Sequence, residues 1–404
     1  MEFLLSEIFD KPISGEWGKE LEEGEQGVPV IRTTNFTNIG RLNLKDLVFR
    51  NIDVDKYSNK RLNKGDLIIE KSGGSPTQPV GRVVIFDEDN DKTYFFNNFT
   101  SVLRPKEMLN SHYALYLMKD LYNKRKVLKY QNKTTGIINL KLNDYISNTK
   151  IELPSIDIQE RIAEVLDLNQ SLIDKKKEQI EKLDLLVKSK FIEMFGNPST
   201  NSKGWILDKL SNCLINIENG KSFICENYKR KGEYPAILKL SAVTYGVYNQ
   251  FENKALIDEF SFVEKVEVKK SDLLFTRKNT PELVGMSAYV YETEPSLMMP
   301  DLIFRLNTNE NINKIFLWKL INHDLFREKI KALSNGSAKS MSNISKQRLM
   351  ELKIPVPPIE LQNQFAEFVK QVDKLKFEME KSLKELEDNF NSLMQKAFKG
   401  EIFN

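Results

Sequence analysis

A stretch in the middle of the chain returns near its end. Ile151 to Glu164 reads Ile-Glu-Leu-Pro-Ser-Ile-Asp-Ile-Gln-Glu-Arg-Ile-Ala-Glu, and Ile354 to Glu367 reads Ile-Pro-Val-Pro-Pro-Ile-Glu-Leu-Gln-Asn-Gln-Phe-Ala-Glu. From Pro154 to Pro357 the offset is 203 residues, half of a 404-residue chain. The match continues more faintly upstream. Val28-Pro29-Val30-Ile31 answers to Tyr234-Pro235-Ala236-Ile237, Lys64-Gly65-Asp66-Leu67 to Lys270-Ser271-Asp272-Leu273, and Val80-Gly81 to Val284-Gly285. A period this long is not that of a solenoid; it is the tandem duplication of a whole domain.

Each repeated stretch opens a long charged segment that neither Pro nor Gly interrupts. Asp157 and Glu160 have the spacing of a capping box, and Gly196-Asn197-Pro198 and Gly400 supply the stops. Apolar residues fall on a 3.5-residue grid: Ile162, Leu166, Ile173, Ile180, Leu183, Val187 and Met194 in the first segment. In the second they are Phe365, Val369, Val372, Met379, Leu383, Leu386, Phe390 and Leu393. Such a seam calls for a partner helix. Connectivity sets the direction: the second globular part follows the first helix and ends where the second helix starts, so that helix must run back. The expected fold class is α+β, with two homologous α/β domains, two long helices forming an antiparallel coiled coil, and pseudo-twofold symmetry. Within each domain the sequence predicts short strands, a helix over His112–Tyr130 or Ile312–Leu333, and then a turn-rich segment.

Lys plus Arg number 60 and Asp plus Glu 57, a net charge of +3 that permits a local basic face but excludes a uniformly basic coat protein. Cys213 and Cys225 are expected to be ordinary reduced thiols. The N-terminus lacks the basic start and apolar run of a signal peptide, and no apolar stretch reaches the roughly 20 residues of a membrane span. A soluble cytoplasmic protein is therefore expected.

Catalytic signatures are mostly missing. His112 and His323, both in predicted helices, are the only histidines, and there is no glycine-rich phosphate loop. Asp258, Glu267 and Lys269 imitate the acidic-plus-lysine pattern of Mg²⁺ nucleases. The first repeat lacks that pattern, having Ile52, Arg61 and Asn63 at the corresponding places. Polar loop residues do recur at matching places. Arg32, Thr33, Thr34 and Asn35 are answered by a stretch containing Lys239 and Ser241, and Lys71, Ser72 and Gly73 by Arg277, Lys278, Asn279 and Thr280. Lys133, Thr134, Thr135 and Gly136 are answered by Ser337, Lys339 and Ser340. Cations and small polar groups of this kind grip phosphates and read base edges, so these are the candidate DNA-binding residues.

Leu153-Pro154, Ile158-Gln159-Glu160-Arg161-Ile162 and Lys190 to Pro198 resemble the central conserved region of type I restriction–modification specificity subunits. Pro357 to Gln362 and Gln395 to Glu401 resemble their distal conserved region. The resemblance implies target-recognition domains at 1–150 and 198–353, and conserved helices at 151–197 and 354–404. It implies that each domain reads one half of a bipartite site in double-stranded DNA, with the helices setting the spacer. Partners would be two DNA-methyltransferase (modification) subunits and motor-nuclease (restriction) subunits, carrying S-adenosylmethionine, ATP and Mg. This chain would hold no cofactor and catalyse nothing. Where the first helix start reads Gln-Glu-Arg-Ile, the second reads Gln362-Asn363-Gln364-Phe365, so equal partner contacts at the two helix starts are not implied. The competing readings are a coiled-coil scaffold that binds proteins through its end domains, and a nuclease using Asp258, Glu267 and Lys269.

Overall fold

The computed structural model describes residues 1–75, 78–134, 137–334 and 341–403. The chain divides into two compact units, Met1–Lys177 with Lys381–Asn404, and Glu178–Glu380. Both cuts fall inside long helices, so each unit consists of a globular part and one stretch from each helix.

In the first unit a four-stranded antiparallel sheet has the order Ile13–Ser14, Thr100–Leu103, Leu67–Glu70, Val83–Ile85. Its strand Leu67–Glu70 opens with three apolar residues in a row because both faces are covered. With the period-2 alternation of a strand, Leu67 and Ile69 join the core beneath the helix Ser111–Asn123, while Ile68 faces the cluster of Ile31, Phe36 and Phe96. The latter cluster includes the inner face of a three-stranded sheet, in which Val28–Ile31 pairs antiparallel with Val48–Arg50 and parallel with Phe95–Phe96.

The second unit repeats this plan. Its four strands run Leu214–Asn219, Ile303–Thr308, Leu273–Thr276, Ser287–Tyr289, and its three-stranded sheet is centred on Ala236–Leu238. The repeated Lys-Gly/Ser-Asp motif acquires a physical role here. Asp66 accepts two 2.8 Å hydrogen bonds from Arg104, and Asp272 accepts one of 2.9 Å from Arg305. Each pair ties a strand start to a neighbouring strand. The middle residue sits at positive φ, +90° for Gly65 and +68° for Ser271, so the second copy keeps the turn with a residue less suited to it.

The predicted helices are shorter than expected. The first stops at Asn123, Arg125 turns to φ +56°, and a 3₁₀ turn over Lys126–Tyr130 follows. In the second unit the helix breaks in two, Lys314–Asn322 and Asp324–Lys331. His323 therefore lies between helices, its ring accepting from the Leu325 N–H at 3.3 Å. The turn-rich segment of the first unit contains strands, Gln131–Thr134 paired with Ile137–Leu140.

The long helices are Ile156–Phe195 and Ile359–Ala397. Asp157 lies inside the first turn, so it does not cap that helix; its charge still suits the positive end of the helix dipole. Antiparallel pairing is visible within each unit. From Asn110 to Tyr116 the contacts move from Gln159 to Asp167 on the first long helix, and from Tyr113 to Tyr116 they move from Phe398, just past the second, back to Phe390. In the second unit, Asn313 meets Gln362 and Lys319 meets Asp373. From Phe316 to Asp324 the contacts on the first long helix fall from Phe195 to Lys188.

Of the grid residues, Ile162, Leu166, Ile173, Val187, Phe365, Val369, Val372 and Phe390 are buried. Ile180, Leu183, Met194, Met379, Leu383, Leu386 and Leu393 are only half-buried. The buried ones take part in cores that also contain residues of the globular parts. A helix pair alone shields its seam on one side only. Phe191, Phe195 and Met394 lie off the grid and are buried as well. Phe195 packs 4.7 Å from Phe316 and 5.3 Å from Phe365, so the helix also docks onto the globular part. Among the described residues no helix is long and apolar enough to cross a membrane.

One residue makes the joint in each copy. Gln159, fully buried, accepts from the Asn110 N–H at 3.0 Å and donates to the carbonyls of Met108 and Pro154, both at 3.0 Å. Gln362, also fully buried, accepts from Asn313 at 2.9 Å and donates to Asn311 and Pro357 at 3.2 and 2.8 Å. Asn110 and Asn313 in turn cap the helices that follow them. Gln159→Leu would strand one N–H and two carbonyls. Each buried unsatisfied group costs about 1–3 kcal/mol, so urea unfolding of the full chain is expected to show a loss of at least about 2 kcal/mol. A loss under about 0.5 kcal/mol would contradict this role.

A second contact titrates. His112 Nδ1 lies 2.7 Å from Asp167 Oδ2, and Tyr116 donates to Asp167 Oδ1 at 2.8 Å. The bond to Asp167 holds the His112 pKa above its ordinary value against the effect of burial. Burial would raise the Asp167 carboxyl, but His112 and Tyr116 outweigh it and hold the carboxyl below its usual range. A raised histidine stabilises the fold fully below its unfolded pKa of about 6.5. That contribution is lost as pH rises through the folded value. The melting-temperature advantage of the native chain over His112→Gln is therefore expected at pH 6 and should shrink by pH 8.5. An advantage that grows with pH would refute it. The second unit holds Asp373 by Tyr291 at 2.8 Å and Lys319 at 3.8 Å instead.

Candidate nucleic-acid interface

The central strand of each four-stranded sheet ends in candidate loop residues. After Glu70 the chain stays extended: the Lys71 carbonyl accepts from Leu140 N–H at 2.8 Å and Gly73 N–H donates to Ile138 at 3.1 Å. Ser72 Oγ donates to Asn139 Oδ1 at 2.6 Å. Gly73 has φ +127°, a conformation that favours glycine. Lys71–Gly73 is thereby tied to the strand Ile137–Leu140. The turn Thr33–Asn35 joins the same cluster through Arg82, which pairs with Glu70 at 2.9 Å and reaches the Thr33 carbonyl at 3.5 Å.

The second unit makes corresponding contacts with different side chains. The Arg277 carbonyl accepts from Ile344 N–H at 2.8 Å, Lys278–Asn279 pairs with Ser342–Asn343, and Asn279 Nδ2 donates to Thr244 Oγ1 at 3.0 Å. The bridge Ser72↔Asn139 thus returns as Lys278↔Asn343. In each unit the structure brings three separated loop segments to the end of one strand.

Individual residues differ in what they can offer. Thr34, Gly73, Lys239 and Thr280 are exposed. Thr33, Ser72 and Lys278 are half-buried. Lys71 donates to Ser14 Oγ at 2.9 Å, and burial followed by nearby Lys60 lowers its pKa. Arg32 lies 3.7 Å from Asp46, with its Nε buried and unpaired among the described residues. Two expectations need correction. Asn35 is buried; it accepts from Arg32 N–H and donates to the carbonyls of Asn43 and Asp46 at 3.0 Å, so it builds the turn. Asn279 is buried and its side chain is occupied by Thr244 and the Thr280 N–H. Ser241 and Lys239 both engage Glu252, at 2.6 and 3.4 Å. Arg277 lies over the Phe304 ring at 5.2 Å and points two N–H groups at Asn343. Lys133 and Thr134 end a strand, with side chains outside the described residues. Thr135, Gly136, Ser337, Lys339 and Ser340 lie outside the described residues altogether.

Arg82 was missed by sequence reasoning. Its signal was the Gly81-Arg82 step just ahead of a Val-rich run, a charge placed beside an apolar strand. The nuclease-like triplet is dispersed into local structure: Asp258 caps a 3₁₀ turn, Glu267 accepts from Ser296 N–H at 2.8 Å, and Lys269 lies 3.9 Å from Glu264. Among the described residues no group of three or more His, Cys, Asp or Glu could hold a metal ion.

A family model for the type I restriction modification DNA specificity domain matches residues 1–184 and 212–388. The chain is 24% identical to the EcoKI type I restriction enzyme specificity subunit of Escherichia coli strain K12, across 93% of this chain and 82% of that protein. It is 26% identical to the MjaVIII type I restriction enzyme specificity subunit of Methanocaldococcus jannaschii, across 71% and 70%. The solved S subunit of a type I restriction-modification system from M. genitalium superposes with a TM-score of 0.57 at 17% identity, covering 98% of this chain and 96% of that one. That likeness shows a shared fold. With the family model matching twice, across most of both halves, the chain belongs to the type I restriction modification DNA specificity domain family.

Proposed function

We propose that this chain is the non-catalytic DNA-reading subunit of a type I restriction–modification assembly. Each unit reads one half of a bipartite duplex site, and the paired helices set the unread spacer. The observation that carries this is the recurrence, in both units, of one loop cluster built on the same strand end with different side chains. Two readers of one design and unequal surfaces suit a target with two unequal halves. Methylation of adenine with S-adenosylmethionine, and motor and cleavage chemistry with ATP and Mg, belong on partner subunits. The +3 net charge fits a reader whose phosphate contacts are shared with a partner.

Mapping methylated adenines genome-wide, with and without this chain, is expected to return one bipartite motif that depends on it. Base changes in either half should weaken duplex binding by the assembled complex tenfold or more, in line with about 1–3 kcal/mol per mismatched pair. Binding with no sequence preference would favour the scaffold reading. The helices also make a geometric prediction. A heptad adds about 10 Å of helix, close to three base pairs of duplex. Inserting one heptad in both long helices is expected to lengthen the tolerated spacer by about three base pairs, and an unchanged spacer would refute the ruler.

A further inference from the structure

The first unit contains a cleft of about 330 Å³ whose described lining residues include three cations, Arg82, Lys119 and Arg125, and no carboxylate. The amides of Asn38, Gln78 and Asn123 complete its polar wall. The cleft lining supplies no carboxylate to Lys119 or Arg125, while Arg82 is already charge-paired. Arg82 is anchored by Glu70, which does not line the cleft. Lys119 donates to the Ile39 carbonyl at 2.7 Å. Burial, with Arg41 adding repulsion and Asp174 opposing both, lowers its pKa to about 8, the response of an ammonium taken out of water. Arg125 stands exposed at the rim, where the chain leaves its helix.

Arg82 balances the buried Glu70, but the fold does not demand a cation at Lys119. Gly40 and Gly246, both at positive φ, occupy the same turn in the two copies; Gly40 lies against Lys119, and Gly246 against Asn322 and Met286. Following the repeat, Gln78, Arg82 and Lys119 become Glu282, Met286 and Asn322. Asn322 is occupied with Ser287. The second unit therefore has a carboxylate, a thioether and an amide where the first has an amide and two cations. The cleft also adjoins the loop cluster, since Arg82 contacts both the Thr33 carbonyl and Glu70, the residue before Lys71.

We propose that this cleft grips a backbone phosphate of the duplex beside the half-site read by the first unit, a sequence-independent hold that the second unit lacks. The proposal rests on the DNA-reading function above. Its chemistry, a tetrahedral phosphate among guanidinium, ammonium and amide donors, is shared with free phosphate, and the test separates the two. Duplex affinity of the full chain, assembled with its methyltransferase subunits, is measured against salt. Each neutralised phosphate contact contributes about 0.9 to the slope of log K against log salt. Arg125→Gln and Gln78→Glu are each expected to flatten the slope by about that much, equally on cognate and unrelated duplexes, with base preference unchanged. Lys119→Gln should act likewise while keeping a donor for the Ile39 carbonyl. Arg125→Gln, at an exposed rim, remains informative if the Lys119 variant misfolds. A methylphosphonate at one position flanking the first half-site should reproduce the loss in the native chain and add nothing in Arg125→Gln. Slopes unchanged in all three variants would overturn the cleft while leaving bipartite recognition intact. Stabilisation by millimolar inorganic pyrophosphate with unchanged duplex slopes would assign the cleft to free phosphate and also overturn the proposal. If the native assembly shows no base preference, the DNA-reading function fails, and the slope on unrelated duplex still tests the cleft.

Discussion

A fully buried glutamine side chain at the start of a helix has one low-energy arrangement: its oxygen accepts once and its amide donates twice, or buried groups go unpaired. Gln159 and Gln362 each meet that condition with backbone groups from two separate stretches, the loop before a domain helix and the Pro-containing entry to the long helix. Because a missing partner there costs more than the bond itself contributes, the glutamine acts as a key that fits in one position. Ribbons between Glu2–Leu4 and Lys150–Glu152, and between Ile206–Lys209 and Lys353–Val356, close beside the same entries. The direction in which each long helix leaves its globular part is set by these contacts.

With the framework held this way, the loops are free to differ. Strand ends at Glu70 and Thr276 deliver the chain to the same place in each copy. The next three residues are Lys-Ser-Gly in one copy and Arg-Lys-Asn in the other. Backbone hydrogen bonds hold both loops, so side chains can change without loss of shape. Where a side chain is itself structural, as with Asn35 and Asn279, it is withdrawn from the surface. The copies have diverged in electrostatics too. Asp167 is held by a histidine and a tyrosine, Asp373 by a tyrosine and a lysine.

The duplication, the strand Leu67–Glu70, the antiparallel helices and the helix stops were legible because they rest on local periodicity, on Pro and Gly, and on chain connectivity. Element ends were less so. Arg125 turning to positive φ and His323 splitting a helix have no strong local signal; His323 packs 5.0 Å from Phe191 of the first long helix. The candidate loops were identified by polarity and repeat position, which mark a surface but cannot tell a free amide from one already bonded.

The sequence by itself determined that there are two copies of one domain, each followed by a helix with an apolar seam, because repetition and periodicity are written residue by residue. Only the tertiary structure decided which side chains serve the framework and which remain available: the buried glutamine keys, the withdrawn asparagines, and a cationic cleft in the first unit. Those outcomes depend on which partners folding supplies, 49 residues away for each glutamine and 35 for Asn279, and no local pattern records them.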